Sequence, residues 1–364
     1  MNHFTIIILF FIINCISLLS AQDIDSTQKA NELYLNAIQS INSGKYDSAI
    51  SECDSAMGLD SKPIAYPYEK AFALYKKNQF DEAIKILDSL TNHVEVNPQI
   101  YQLLGNSYDA LDNAEKSLEV YKNGLSKFPK SGRLFYEIGI NYIAQKEVRK
   151  ALSYWENGII NEPQYSNNYF ILSKYYYKAG FTVWSVLYGE IFSNLTESEF
   201  KAKEMSHLLF DFYKKSFYFL KDSAFTIQFT TNMITSPIKR PNKDLPFDMA
   251  YQSVMQDAAK GILPADTLSF SIDILYQLRK KFIELWYAEN LEKTFPNVLF
   301  DWHKMLIEED IFEVYNYFLF NEGAPDETKS WVSRNQLKIK RFKELIQENM
   351  LKIDENHFLN MYQY

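Results

Sequence analysis

The residues of this chain that could perform acid–base or metal chemistry are few and scattered. His207 and Asp211 lie four residues apart on one face of a predicted helix, and Asp301 lies two residues before His303. Either pair could be a fragment of a metal or acid–base site, although a histidine on a helix surface is far more often structural. The acidic run at residues 308–310 is typical of a solvated turn that starts a helix.

Motifs that bind phosphate, activate a serine or hold zinc on a helix are absent. No glycine pair has the spacing of a phosphate-binding loop, no GxSxG sequence occurs, and none of the five histidines belongs to an HExxH pair. We therefore predict no catalytic residues, no metal ligands and no cofactor. A hydrolase whose two carboxylates meet only in space stays open, because spacing along the chain does not test it.

The elements that would position such residues are predicted to be helices. The 364 residues correspond to about two domains, and 11 glycines with 11 prolines are about half the average usage. Since glycine and proline interrupt helices, a low content of both favours long uninterrupted helices. Hydrophobic residues at 47% and charged residues at 23% exclude a disordered chain and a multi-span membrane protein. The net charge of −8 argues against a nucleic-acid partner.

The first 21 residues have the layout of a secretory signal peptide. Residues 4–19 form an uncharged apolar run, and a polar stretch follows Ala21, which predicts cleavage there. The start lacks Lys and Arg, and Leu19 is large for its position, so an uncleaved membrane anchor is the alternative. The mature chain would keep only Cys53 and form no intramolecular disulfide. We expect an exported bacterial protein in the periplasm, at the cell surface or secreted.

The first half of the chain repeats with a period of 34 residues. Two columns hold small residues: Ala37, Ala71, Gly105, Gly139 and Ser173, and Ala49, Ala83, Ser117, Ala151 and Ser185. Two more columns hold mostly large apolar residues: Leu74, Tyr108, Tyr142 and Tyr176, and Cys53, Leu87, Tyr121 and Trp155. Small residues let two helices approach and bulky ones fill the groove to the next pair, which predicts stacked helix–turn–helix units.

These columns resemble the signature of the tetratricopeptide repeat. The best matches are the third unit, with Leu104, Gly105, Tyr108, Ser117, Tyr121 and Pro129, and the fourth, with Ile138, Gly139, Tyr142, Ala151, Trp155 and Pro163. The fifth unit departs from the pattern, with Gly189 at a bulky position. The resemblance covers about residues 30–199 in five units. It implies an all-α fold, a right-handed α-solenoid of helix hairpins whose first helices line a concave groove.

In this family the groove usually holds an extended peptide or a partner helix, so the resemblance implies a protein or peptide partner. The partner-binding residues it implies here are Tyr34, Tyr68, Phe72, Tyr75, Gln102, Asn106, Asp109, Arg133, Tyr136, Phe170, Lys174 and Tyr177. The basic cluster with which one branch of the family grips a C-terminal carboxylate is absent. Rigid tyrosine faces would suit an apolar or mixed peptide. Alternatively, the C-terminal half of the chain covers these aromatic residues.

Residues 200–364 are predicted to form a second, mostly helical region of no recognised family. Apolar spacing predicts helices over residues 204–220, 250–259, 268–288, 297–307, 311–320 and 336–348. Residues 224–231 alternate as a strand would, and an apolar loop explains them equally well. Three prolines over residues 235–247 predict a linker. The tail from residue 356 either frays or docks, and capping of the repeats is the default role of this half.

Two functions are compatible with this organisation of signal peptide (1–21), five repeats (22–199) and helical region (200–364). The leading one is an exported, non-enzymatic scaffold or adaptor of the cell envelope that binds a protein or peptide through its aromatic-rich groove. It would bind no nucleic acid and no small-molecule cofactor, and it would contact a membrane only if the N-terminal segment stays uncleaved. The alternative is an envelope enzyme, such as a hydrolase, with its activity in the C-terminal half.

Overall fold

A computed structural model describes residues 25–219, 225–230, 245–262 and 270–364. The chain divides into two compact units: unit 1 ends at Gln145 and unit 2 begins at Lys146. The predicted signal peptide and most of the predicted linker lie outside the described residues. Within these ranges, no helix combines the length and the apolar character that crossing a membrane requires.

Unit 1 consists of consecutive antiparallel helices. Its described helices are α1 (residues 25–42), α2 (Tyr46–Leu59), α3 (Ala65–Lys76), α4 (Phe80–Leu90), α5 (Pro98–Ala110), α6 (Ala114–Lys127) and α7 (Gly132–Ala144). From α2 onward each helix contacts the next one, and α3 contacts α5, which contacts α7. Side chains cap three of the helices, because Asn97, Asn113 and Ser131 each accept a hydrogen bond from a backbone N–H of the following first turn. These stacked hairpins are the arrangement that the 34-residue period predicts.

The turn inside each predicted repeat unit contains one residue with a left-handed backbone. These residues are spaced by 34: Gly44, Asn78, Asp112, Lys146 and Gly180, with φ angles between +57° and +83°. Glycine adopts this conformation at no steric cost, and Asn and Asp tolerate it better than other residues do. The sequence analysis did not use this column, because its residue types differ from unit to unit.

The columns of small residues are buried where helices approach one another. Every member of both columns is buried, and a Cβ at Gly105 would overlap the ring of Tyr121. The Tyr121 hydroxyl donates to Asn106 Oδ1 at 2.6 Å and lies 2.8 Å from Asp109 Oδ2. The tyrosine ring therefore cannot move aside easily, and α5 and α6 pack closely only because residue 105 is glycine.

Over its described residues, unit 2 is mostly helical, as predicted, with one short strand pair. Its helices are α8 (Val148–Asn161), α9 (Ser166–Lys178), α10 (Thr182–Leu195), α11 (Glu199–Lys215), α12 (Phe247–Ala259), α13 (Ile272–Ala288), α14 (Val298–Glu308), α15 (Phe312–Leu319), α16 (Pro325–Arg334) and α17 (Gln336–Glu348). Strand β1 (Phe217–Phe219) pairs antiparallel with β2 (Phe225–Ile227). The alternation over residues 224–231 thus marks a strand, and β1 is the partner that the sequence analysis did not identify.

The predicted helix ends in this half shift by up to five residues, and one helix was missed. Helix α11 begins at Glu199 rather than at residue 204, because the Ser198 side chain caps it. Helix α16 gave no apolar pattern, since Trp331 is its one buried residue. At Gly189, a Cβ would lie 2.8 Å from both Leu209 and Met205. The missing bulky residue of the fifth unit therefore lets α11 pack on α10.

The C-terminal tail docks on unit 2. Leu351, Ile353 and Leu359 are buried, and the ring of Tyr364 stacks on that of Phe247 with centroids 4.5 Å apart. Of the two outcomes expected for the tail, the structure shows docking.

Candidate partner-binding surface

The first helices of unit 1 present one row of partly exposed side chains, which we call the groove row. Its members are the predicted groove residues of unit 1: Tyr34, Tyr68, Phe72, Tyr75, Gln102, Asn106, Asp109, Arg133 and Tyr136. All nine are half-buried, neither sealed in the core nor fully solvated. Because α3 contacts α5 and α5 contacts α7, the row runs across neighbouring helices and could follow an extended segment of a partner.

Aromatic residues dominate the row on α1 and α3, and other side chains hold several of them from behind. The Tyr34 ring lies 5.4 Å from that of Tyr66, which is buried. The Tyr75 ring packs edge-on against Phe80 at 5.4 Å. Phe72 packs against the buried cluster of Ala37, Ile41, Ala49, Cys53 and Ala73. These rings are therefore ordered before any partner binds, which reduces the entropy lost on binding.

Polar groups replace the aromatic ones on α5, and α7 combines Arg133 with Tyr136. Arg133 Nη1 donates a hydrogen bond to Gln102 Oε1 at 2.6 Å, and Gln102 Nε2 donates to Glu137 Oε1 at 2.5 Å. Glu137 was not among the predicted residues. It is half-buried, and its recurrence 68 residues after Glu69, which is two repeat periods, is the signal that could have identified it.

Asn106 and Asp109 hold neighbouring helices together, and this structural role is clearer than a role in binding a partner. Both accept a hydrogen bond from the Tyr121 hydroxyl, and Asp109 Oδ1 also accepts one from Ser117. Asn141 Nδ2 donates to Ser117 Oγ at 2.8 Å, so this network joins α5, α6 and α7. These side chains fix the surface, and their oxygens are already hydrogen-bonded.

Glu69 is a second groove residue that the sequence analysis missed. Its carboxylate is half-buried on α3 and makes no hydrogen bond or ion pair within the described residues. Burial raises its pKa. Burial and then the negative charge of Glu69 raise the pKa of both Tyr34 and Tyr68, so the two phenols and the carboxylate are neighbours. This is an unusual place for an unpaired charge, since a partly buried ion is costly without a partner.

The three predicted groove residues of unit 2 contact other side chains of the same unit, and the burial of Phe170 corrects its assignment to an open surface. Phe170 is only 6% exposed. Lys174 Nζ pairs with Glu204 Oε1 at 2.6 Å, and Tyr177 stacks on Phe212 with centroids 3.8 Å apart. Glu204 and Phe212 belong to α11, which packs beside α9 as a further helix. Phe170 is therefore covered, whereas Lys174 and Tyr177 stay half-buried like the residues of the groove row.

The histidine pairs singled out in the sequence do not assemble into sites. His207 Nδ1 lies 3.3 Å from a backbone carbonyl oxygen, and Asp211 pairs with Lys215 at 2.7 Å. Asp301 accepts a hydrogen bond from Tyr287 and not from His303. Over the part of the chain that the structure describes, no three His, Cys, Asp or Glu side chains group closely enough to hold a metal ion.

His303 instead belongs to a buried charged cluster in unit 2, which the sequence did not reveal. Glu190 Oε1 pairs with Arg279, lies 2.7 Å from His303 Nε2, and accepts a hydrogen bond from Tyr315 at 2.8 Å. Arg279 Nη1 donates to Asn316 Oδ1 at 2.5 Å. Burial alone would raise the pKa of Glu190, but Arg279 and His303 lower it to about 2. All five side chains are buried, so the cluster belongs to the core of unit 2.

One cavity of about 450 Å³ lies in unit 2 near this cluster. Trp302, Tyr315 and Phe342 form part of its apolar wall, and Glu199 and Lys203 lie at its polar rim. The two rim charges pair with each other at 2.7 Å. The cavity thus combines an apolar wall with a polar rim whose two charges are already paired with each other.

Comparison with known proteins places the repeats among described families. Residues 41–106 match the family model described as "Tetratricopeptide repeat". No curated protein matches the chain.

Several solved structures resemble part of the chain. A thermophilic TPR protein of Thermus thermophilus matches with 16% identity over 50% of this chain and 98% of its own, at a TM-score of 0.42. PilF of Pseudomonas aeruginosa matches with 12% identity over 52% and 86%, also at 0.42. YrrB, described as a TPR protein with an unusual peptide-binding site, matches with 14% identity over 46% and 87%, at 0.32. Because the identities are low and every TM-score is below 0.5, no property of those proteins is assigned to this chain.

Proposed function

Because this chain contains tetratricopeptide repeats, we propose that it is a non-enzymatic interaction scaffold that binds a protein or peptide along the groove row of unit 1. The observation that carries this proposal is the row itself. It is a series of half-exposed aromatic and polar side chains on consecutive first helices, several of them held in place by the core behind them.

The composition of the row suits binding energetically. Tyr and Arg are enriched among the residues that contribute most to protein–protein affinity, because they combine a large contact area with polar groups. In this chain Tyr34, Tyr68, Tyr75 and Tyr136 provide the area and Arg133 provides a charge. A partner would bury the remaining exposed part of each ring, gaining about 25 cal/mol for each Å² of apolar surface removed from water.

We also propose that the protein is exported to the bacterial cell envelope, with residues 1–21 removed. The uncharged apolar run at residues 4–19, followed by a polar stretch after Ala21, supports this, and the one cysteine of the mature chain is compatible with it. Cys53 is fully buried, and its burial raises the pKa of the thiol to about 12. Since the thiolate is the reactive form, an oxidising compartment would leave this side chain unmodified. N-terminal sequencing of the mature protein tests the proposal. A start at Gln22 supports the removal of residues 1–21, whereas a start at Met1 contradicts it and supports the membrane anchor.

The binding proposal is tested by capture of partners from the envelope extract of the source bacterium on the chain from Gln22 to Tyr364. A Tyr68→Ala/Tyr136→Ala variant removes two rings of the groove row. Tyr46→Ala is the matched control, because Tyr46 is a half-buried tyrosine of α2 outside the row. Far-UV circular dichroism checks that all three proteins are folded.

We expect one protein to be captured by the parent and by the control, and to bind the double variant at least tenfold more weakly. A photoreactive phenylalanine analogue at position 136 should crosslink to the same protein. Equal capture by the parent and the groove variant would contradict the proposal and place binding outside the groove row.

A further inference from the structure

The repeat geometry of unit 1 places two glutamates in equivalent positions, yet only one of them has a partner. Glu137 lies two repeat periods after Glu69. Tyr34 precedes Glu69 by 35 residues, and Gln102 precedes Glu137 by the same number, so Tyr34 and Gln102 are also equivalent positions. Gln102 Nε2 donates a hydrogen bond to Glu137 at 2.5 Å. Tyr34 occupies the corresponding place before Glu69, and within the described ranges no donor reaches the Glu69 carboxylate.

The cations of α3 do not compensate this charge. Lys70 pairs with Asp54 on α2 at 2.6 Å. Lys76 lies over the ring of Phe72, 5.1 Å from its centroid. The carboxylate of Glu69 thus remains half-buried and unpaired while both lysines of its own helix are engaged elsewhere.

The surroundings of Glu69 have the chemistry that recognises a cation. Tyr34 and Tyr68 are close enough for the charge of Glu69 to raise their pKa values, in addition to the effect of burial. The faces of tyrosine rings attract ammonium and guanidinium groups, and a carboxylate beside them accepts their hydrogen bonds. Phe72, half-buried on the same helix, offers apolar area next to this point.

We propose that Tyr34, Tyr68 and Glu69 bind a Lys or Arg side chain of the peptide that occupies the groove row, an assignment that rests on the proposed binding function. The partner is therefore a basic segment with apolar neighbours. A carboxylate-ended or acidic segment would meet the charge of Glu69 unfavourably. The basic side chain neutralises a charge that the repeats leave uncompensated, so its binding also relieves the cost of burying Glu69.

The test uses a random 12-residue peptide library displayed on phage, selected against the chain from Gln22 to Tyr364. Glu69→Gln removes the charge at nearly constant shape. Glu52→Gln is the matched control, because Glu52 is a half-buried glutamate of α2 outside the groove row. Glu69→Lys reverses the charge. A selected peptide is then synthesised in two forms, one with Lys or Arg and one with norleucine at that position.

We expect the parent and Glu52→Gln to select peptides with Lys or Arg at one fixed position, and Glu69→Lys to select acidic residues there. Glu69→Gln should bind the basic peptide about tenfold more weakly. The norleucine peptide should bind the parent more weakly than the basic peptide by a similar factor. Glu69→Gln should reduce the affinity for the norleucine peptide little further, which would show that Glu69 and the basic residue of the peptide interact directly.

The outcomes separate this inference from the function on which it rests. Peptides that bind the parent, depend on Tyr68 and Tyr136, and carry no preferred basic residue would overturn the cation site and leave the groove function intact. A basic preference that survives in Glu69→Gln would overturn it as well. If the parent enriches no peptide at all, the groove function itself fails, and the cation site fails with it.

Discussion

Replacing Arg279 by Met should destabilise unit 2 strongly, because it leaves the Glu190 carboxylate buried without its cation. The guanidinium lies among four helices: it sits on α13, pairs with Glu190 of α10, approaches His303 Nε2 of α14 at 3.3 Å and donates to Asn316 of α15. Met is similar in length and apolar, so the substitution changes charge more than volume.

The size of the effect can be worked from the titration of Glu190. Its pKa lies at about 2 in the fold against an ordinary value of 4.5. This shift of about 2.5 pKa units corresponds to about 3 kcal/mol of stability at neutral pH, at 1.36 kcal/mol per unit. Removing one member of a buried ion pair costs about 3–5 kcal/mol in other proteins. We therefore expect Arg279→Met to lower the free energy of unfolding of unit 2 by about 3 kcal/mol at pH 7.

The pH dependence gives the sign of the effect independently. A carboxyl whose pKa is lowered by folding stabilises the protein above its unfolded-state pKa, and this stability is lost as the pH falls through the folded-state value. The difference between the parent and Arg279→Met should therefore be largest above pH 6. It should shrink below pH 4.5, where protonation neutralises Glu190 in the variant.

Urea unfolding followed by tryptophan fluorescence measures unit 2 selectively. All five tryptophans lie at or beyond residue 155, and unit 1 contains none. The companion variant Glu190→Gln/Arg279→Met removes both charges, and we expect it to recover at least half of the loss. A loss below 1 kcal/mol for Arg279→Met would refute the reasoning. A double variant as unstable as the sum of its single changes would refute it too.

Two further predictions concern packing in unit 1 and titration in unit 2. Gly105→Ala should lower the stability of unit 1 by about 1–3 kcal/mol, because its Cβ meets the ring of Tyr121. Gly58→Ala, which has open space around it in α2, should instead stabilise by up to about 1 kcal/mol. Equal effects in urea unfolding monitored by far-UV circular dichroism would contradict this. Burial raises the pKa of Glu156 to about 7, so its protonated form stabilises unit 2 below pH 4.5, and that stability is lost as the pH rises through 7. The stability of Glu156→Gln relative to the parent should therefore be higher at pH 8 than at pH 4, by up to about 3 kcal/mol. If thermal unfolding shows the same difference between the two proteins at both pH values, this explanation is excluded.

The repeat fold could be predicted because its physical requirements recur every 34 residues. A small residue must stand wherever two helices touch, as at Ala71 or Gly105, and the same need returns in each unit. The resemblance could therefore place the groove row of unit 1 in advance. Glu69 and Glu137 were missed, since neither was among the groove residues that the resemblance implied.

The second half could be predicted only in outline. Apolar spacing located most helices within five residues, because burying one face of a helix leaves a periodic record in the sequence. It missed α16, whose contacts bury little beyond Trp331. The correction at Phe170 has a related cause, because whether a side chain is exposed depends on what packs against it, and α11 lies outside the repeat pattern.

The sequence by itself determined the helical repeats, their period and the side chains that line the groove row, because each follows from local spacing that recurs along the chain. Only the tertiary structure decided which charges find a partner. Glu190 and Arg279 are 89 residues apart and meet in the core, whereas Glu69 meets no cation within the described residues. The strength and even the sign of an electrostatic contribution depend on distance and burial in three dimensions, and no spacing along the chain encodes these for residues so far apart.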